Sequence, residues 1–80
     1  MTASRWQQDN GELQRIFEFV DFVEAFGFVT QVALLAQRQN HHPDISISWN
    51  KVTITSTSHD ANHTVTGRDH DLADAIDKLL

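Results

Sequence analysis

Asn40-His41-His42-Pro43-Asp44, running on through Ile45-Ser46-Ile47-Ser48-Trp49-Asn50-Lys51-Val52-Thr53-Ile54-Thr55, is the stretch that decides the fold. Ile45, Ile47 and Trp49 alternate with Ser46 and Ser48; after Asn50-Lys51, Val52 and Ile54 alternate with Thr53 and Thr55. A period of two belongs to a strand with one buried face, so the segment predicts a β-hairpin. A two-residue loop at Asn50-Lys51 would pair Trp49 with Val52, Ile47 with Ile54 and Ile45 with Ser56, with the apolar residues on one face. Extended outward, that register sets Asp44 opposite Thr57 and His42 opposite His59, and directly opposed Cβ atoms lie about 4.5–5.5 Å apart. The open end of the hairpin would therefore collect His41, His42 and His59, with Pro43 keeping its neighbour extended.

Upstream of the hairpin, Phe22, Ala25, Phe26, Val29, Val32, Ala33 and Ala36 follow helical spacing, with Val23, Phe28, Leu34 and Leu35 partly outside the stripe. Asp21, followed three residues later by Glu24, supplies a capping-box start, and Asn40 with Pro43 ends the helix. A helix apolar on more than one side predicts a second cover, from another element or another subunit. Gly27 costs a helix about 1 kcal/mol against alanine, which suggests a close backbone approach there. Before this helix, Glu12–Phe19 alternates as a strand with Leu13, Phe17 and Phe19 on one face, interrupted by Arg15. It is hairpinned at Asp9-Asn10-Gly11 to a short first strand through Trp6. Past the polar stretch from Ser58 to Gly67, Leu72, Ile76 and Leu79 mark a last helix, with Asp69 as candidate N-cap. The order is β-β-α-β-β-α, and an antiparallel sheet with both helices on one face would bury the apolar side of every element.

Composition narrows the class. Eighty residues with two Trp, five Phe and 40% apolar content make a single domain over 1–80, and one small enough that self-association is expected. No cysteine is present, which removes thiolate nucleophiles and disulfides and suits a reducing, cytoplasmic setting. No apolar run approaches the roughly 20 residues of a membrane span, and residues 1–10 lack the apolar core of a signal peptide. A net charge of −5 with scattered Lys and Arg gives no basic stripe for nucleic acid.

Five histidines are the compositional oddity. Those of the 41, 42 and 59 cluster have three readings: unrelated surface residues, a metal site, or acid–base chemistry on a small molecule. Adjacent residues of an extended segment diverge, and no Cys or helical His-x-x-x-His spacing supports a metal. Imidazoles that titrate near neutral pH favour the acid–base reading. His63 and His70 read as solvated.

His41-His42-Pro43, five residues to Trp49, nine more to His59 and a further ten to Asp69 form a pattern that resembles the pterin-4a-carbinolamine dehydratases, the dimerisation-cofactor-like proteins. Ala25-Phe26-Gly27-Phe28, Val32-Ala33-Leu34, Asn50-Lys51-Val52, Gly67-Arg68-Asp69 and Trp6 add to the likeness, which spans nearly the whole chain. The resemblance implies a four-stranded antiparallel sheet with helices on one side. It also implies cofactor-free dehydration of 4a-hydroxytetrahydropterins to quinonoid dihydropterins, in a homodimer or homotetramer. His41 and His59 are then the expected acid and base and His42 orients the pterin; Trp6, Arg68 and Asp69 are the expected substrate-binding residues. Gln37 departs from the family, which typically carries a charged residue there, often glutamate. The alternative is a non-catalytic relative, an interaction or assembly module with a relic pocket.

Overall fold

The computed structural model describes residues 5–80. The reading of residues 1–10 as lacking a signal-peptide core therefore falls partly outside the described residues. Strands β1 (Gln7–Asp9), β2 (Glu12–Glu18), β3 (Asp44–Ser48) and β4 (Lys51–Ser56) form one antiparallel sheet in the order β1-β2-β4-β3. Helices α1 (Phe22–Gln39) and α2 (Gly67–Asp77) complete the predicted β-β-α-β-β-α order. None of the described helices is long and apolar enough to cross a membrane.

The core lies between the sheet and the helices. Leu13 and Phe17 from β2, and Val52 and Ile54 from β4, meet Ala25, Phe28, Val32 and Ala36 of α1 and Leu72, Ala73 and Ile76 of α2. Phe28, placed at the margin of the stripe by spacing alone, is a core residue. Its ring lies 4.8 Å from that of Phe17 and 4.9 Å from that of Phe19, and these aromatic contacts with β2 turn α1 so that Phe28 faces in. Phe22 and Phe26 are turned out as a consequence, and Phe26 is 53% exposed. With Val23 and Leu34 they leave an apolar outer face on the helix. Among the described residues, no atom beyond Gly27's chain neighbours and the helix's own nearby backbone comes within 4 Å of where a Gly27 Cβ would sit, so the close approach expected there does not come from them.

The β3–β4 register differs by two residues from expectation. Ile45 faces Ile54, Ile47 faces Val52 and Ser48 faces Lys51, so the loop is Trp49-Asn50. Asn50 is anchored to the end of β2: its side-chain amide donates to Phe19 O at 2.9 Å, and its carbonyl accepts from Phe19 N at 2.8 Å. This draws Asn50 out of the ladder and leaves Trp49 at the turn, with φ +49° and 67% exposure. A two-residue slip keeps every side chain on its predicted face. It does remove the cross-strand pairing of His42 with His59, which meet by another route.

Both helix starts are capped by side chains. Asp21 accepts from Glu24 N at 2.9 Å, and Glu24 reaches back to Val20 N rather than to the cap residue itself. At α2 the cap is Thr66, not Asp69, and Asp69 is the third helical residue of a complete capping box. That one-turn difference determines what Asp69 does.

Candidate active site

α1 ends at Asn40, whose left-handed conformation (φ 52°) turns the chain sharply and lets His41 N donate to Ala36 O at 3.1 Å. The turn sends His41 inward and His42 outward. His41 is only 6% exposed, and its Nε2 lies 2.6 Å from Asp69 Oδ1. Asp69, at 0% exposure, also accepts from Ser56 Oγ at 2.5 Å, from Ser58 Oγ at 2.8 Å and from Thr66 N at 2.9 Å. Burial alone would push this carboxyl up. The hydrogen bonds from His41, Ser56, the Thr66 backbone and Ser58 outweigh it and hold the group well below the usual carboxylate range. Asp69 is therefore an anion at neutral pH that accepts only. His41 must present Nε2–H to it, which leaves Nδ1 as the nitrogen able to exchange a proton.

His42 is exposed, and its Nε2 lies 3.0 Å from Gln37 Oε1 one turn back on α1. An amide oxygen can only accept, so this ring too donates through Nε2. His59 opens a short 3₁₀ turn, His59–Ala61, closed by a bridge between Ser58 and Thr64. It faces the same cleft of about 270 Å³, lined by Asn40, His41, His42, Thr57, His59, Asp60 and Arg68. Arg68 crosses the cleft wall: it donates to Asn40 O at 2.6 Å and to Asp60 at 3.3 Å, tying the end of α1 to the His59 turn. Beyond Arg68, His41 also borders a second cleft of about 440 Å³ with Gln39 and Asp71.

The three predicted histidines and Arg68 thus share one cleft, although His59 reaches it through the 3₁₀ turn and not through a strand register. Asp69 is displaced from the expected list: wholly buried behind His41, it presents no surface to a substrate. Trp6 does not line the cleft. It is a core residue, edge-on to Phe17 with ring centroids 5.9 Å apart, and its Nε1 donates to the Asp77 carboxylate at 2.9 Å. Asp77 ends α2, eight residues past Asp69 and so about 12 Å along the helix. Arg15 shares that carboxylate at 2.7 Å, which explains how a charged residue sits on the inner face of β2. Spacing had pointed to neither Ser56, Ser58 nor Thr66. Ser56 carried a faint signal, a hydroxyl at an inward position where the β4 pattern asks for an apolar residue; Ser58 and Thr66 lie beyond that strand. Among the described residues, no three His, Cys, Asp or Glu side chains converge as a metal-ligand set.

Fold and cleft together define a small α+β domain presenting a cluster of imidazoles, one of them backed by a buried carboxylate. A family model described as Pterin 4 alpha carbinolamine dehydratase matches residues 1–79, and the chain belongs to that family. It is 43% identical over 75 residues to a protein of Roseiflexus castenholzii (strain DSM 13941 / HLO8) named "Putative pterin-4-alpha-carbinolamine dehydratase", covering 94% of this chain and 80% of that one. A protein of the same name from Prochlorococcus marinus (strain NATL2A) is 47% identical over 75 residues, with 94% and 78% covered. Among solved structures, a transcriptional coactivator/pterin dehydratase from Brucella melitensis superposes with a TM-score of 0.85 at 34% identity, over 92% of this chain and 80% of that one. A pterin dehydratase-like protein described as a RuBisCO assembly factor in the alpha-carboxysome shares the fold, with a TM-score of 0.80 at 20% identity over 95% and 89% of the two chains.

Proposed function

We propose that the protein dehydrates 4a-hydroxytetrahydropterins to quinonoid dihydropterins. The observation that carries this reading is the Asp69–His41 pair at the wall of a cleft shared with His42 and His59. The reaction breaks the C4a–O bond, releases the hydroxyl as water and removes the proton from N5, forming the C4a=N5 double bond. It needs one proton delivered and one taken, which two imidazoles supply. His41 takes the N5 proton through Nδ1, and the Asp69 carboxylate fixes its tautomer and steadies the imidazolium that results. His59, on the exposed side of the cleft, delivers the proton to the departing hydroxyl. His42, held by Gln37, and Arg68 border the ring and orient it. Asp69 acts through His41 and is a positioning residue.

The test is the rate at which freshly generated 4a-hydroxytetrahydropterin loses water with and without the protein. Acceleration of 10²-fold or more, in the range of general acid–base catalysis, is the expected result. No acceleration by folded protein across pH 6–8 would move the assignment to a non-catalytic interaction or assembly module. The outward apolar face of α1 favours that second reading, since large exposed apolar patches mark contact surfaces.

The same face supports self-association, with a second copy covering Phe22, Phe26 and Leu34. Gly27 provides a clean probe, because none of the described residues opposes a methyl group there. Gly27→Ala should favour the helix by up to about 1 kcal/mol in the isolated chain. Against a packed copy, the added carbon should weaken association by about tenfold or more. Sedimentation of the two proteins over a concentration series separates these effects; equal association would rule out Gly27 as a contact point.

A further inference from the structure

The turn that carries His59 is held in place from outside. Asn62 and His63 are both left-handed, with φ of 61° and 58°. Asn and His are among the non-glycine residues that adopt that region most readily. What marks His63 is the set of contacts its side chain and carbonyl make. Its Nε2 lies 3.2 Å from Glu12 Oε2, and its ring meets that of His59 edge-on with centroids 5.7 Å apart. Gly11, beside Glu12 in the β1–β2 turn, lies so close under the His63 carbonyl that a Cβ on it would collide with that oxygen. Gly11 O in turn accepts from Thr57 Oγ1 at 2.6 Å, and Thr57 lines the cleft.

We infer that His63 is a positioning residue for His59, bracing the 3₁₀ turn against Gly11 and Glu12 so that the His59 ring stays aimed into the cleft. His63 is not among the residues lining that cleft, so it acts by geometry and not by touching substrate. The side chains facing it are Glu12 and His59, while the neighbouring Asp60 is held from the opposite side by Arg68. The turn is thus gripped at two ends, by Arg68 near its start and by His63 near its finish. The dehydratase reading enters only through the activity arm of the test.

The experiment combines amide hydrogen exchange with steady-state dehydration kinetics on the full chain, comparing His63→Asn, Glu12→Ala and Glu12→Gln. Asn keeps the left-handed backbone but cannot reach Glu12. Glu12→Gln keeps an oxygen that accepts from His63 and serves as the rescuing variant. In His63→Asn and Glu12→Ala, the Ser58 and Ala61 amides, which close the turn onto Thr64 O and Ser58 O, should exchange about tenfold faster or more. Their kcat should fall by about tenfold with KM within about twofold, as expected for a misaimed but present catalytic group. Glu12→Gln should stay near the unmodified protein in both respects. Unchanged exchange in His63→Asn and Glu12→Ala overturns the brace, as does a loss of kcat without faster exchange. Faster exchange at full kcat overturns the role of His63 in aiming His59. If the unmodified protein shows no turnover, the dehydratase reading fails and the exchange data alone decide the brace.

Discussion

Replacing Asp69 with alanine should cost about 3–5 kcal/mol of stability, because four donors lose the one group that accepts from them and each buried group left unpaired costs about 1–3 kcal/mol. His41 Nε2–H, Ser56 Oγ, Ser58 Oγ and Thr66 N all donate to this one carboxylate, and each would be left facing a void. An 80-residue domain has roughly 4–12 kcal/mol in total, so the variant should be marginal at 25 °C and its urea midpoint should drop steeply. Asp69→Asn tests the charge separately. The amide keeps the size but turns an N–H toward a donor on one side, so it too should destabilise, by about 2–4 kcal/mol. The pH dependence follows from the direction of the shift. The folded-state value lies below the ordinary carboxylate value, so the stabilisation is fully present above the unfolded value of about 3.9. It is lost as pH falls from there toward the depressed folded value. Urea midpoints between pH 5 and 2 should decline in the unmodified protein and decline less in Asp69→Asn; parallel slopes would show that another carboxylate governs acid unfolding.

On the proposed dehydratase reading, removing His41 or His59 should lower kcat by 10²–10⁴-fold. His59→Ala is the cleaner variant, since His59 is exposed and has no buried partner to orphan. His41→Ala should lose comparable activity and some stability as well, because it leaves the buried Asp69 carboxylate short of one of its donors. His42→Ala should act mainly on KM, since its ring is held by Gln37 at the cleft edge and serves orientation. Kinetics of the three variants, with far-ultraviolet circular dichroism to confirm folding, check the division of labour. A larger kcat loss from His42 than from His59 would reverse their assignments.

Much of this molecule was legible in its sequence. Period-two alternation at Ile45–Thr55 placed the second hairpin, and Asn40 and Pro43 placed the end of α1, because both depend on local geometry alone. The exact register was not legible, since Asn50 is fixed by Phe19, thirty-one residues away, and no neighbour in sequence records that bond. The rotation of α1 went the same way: two faces of the helix are apolar, and the choice between them rests on how Phe17 and Phe19 meet Phe28. Asp69 was recognised by its place in a pattern, but its burial was not. A carboxylate beneath the surface is offset by Ser56 at the end of β4, by Ser58 just beyond it and by the Thr66 cap, whose shared target no local pattern marks. Trp6 was misplaced because an indole near a family motif invites a stacking role, whereas here its N–H seeks Asp77 at the far end of α2.

The placement of Asp69 also bears on when the protein becomes competent. α1 and its Asn40 turn can set His41 in position locally, and the Thr66 capping box can set Asp69 locally, but the two are twenty-eight residues apart and meet only once α2 docks on the sheet. A growing chain that has already exposed His41, His42 and His59 therefore has no carboxylate behind His41 and no fixed cleft wall until α2 docks. Contacts of such separation are the costly ones to close, so assembly of the cleft should belong to the final stage of folding. An oriented His41 then doubles as a report that α2 has packed.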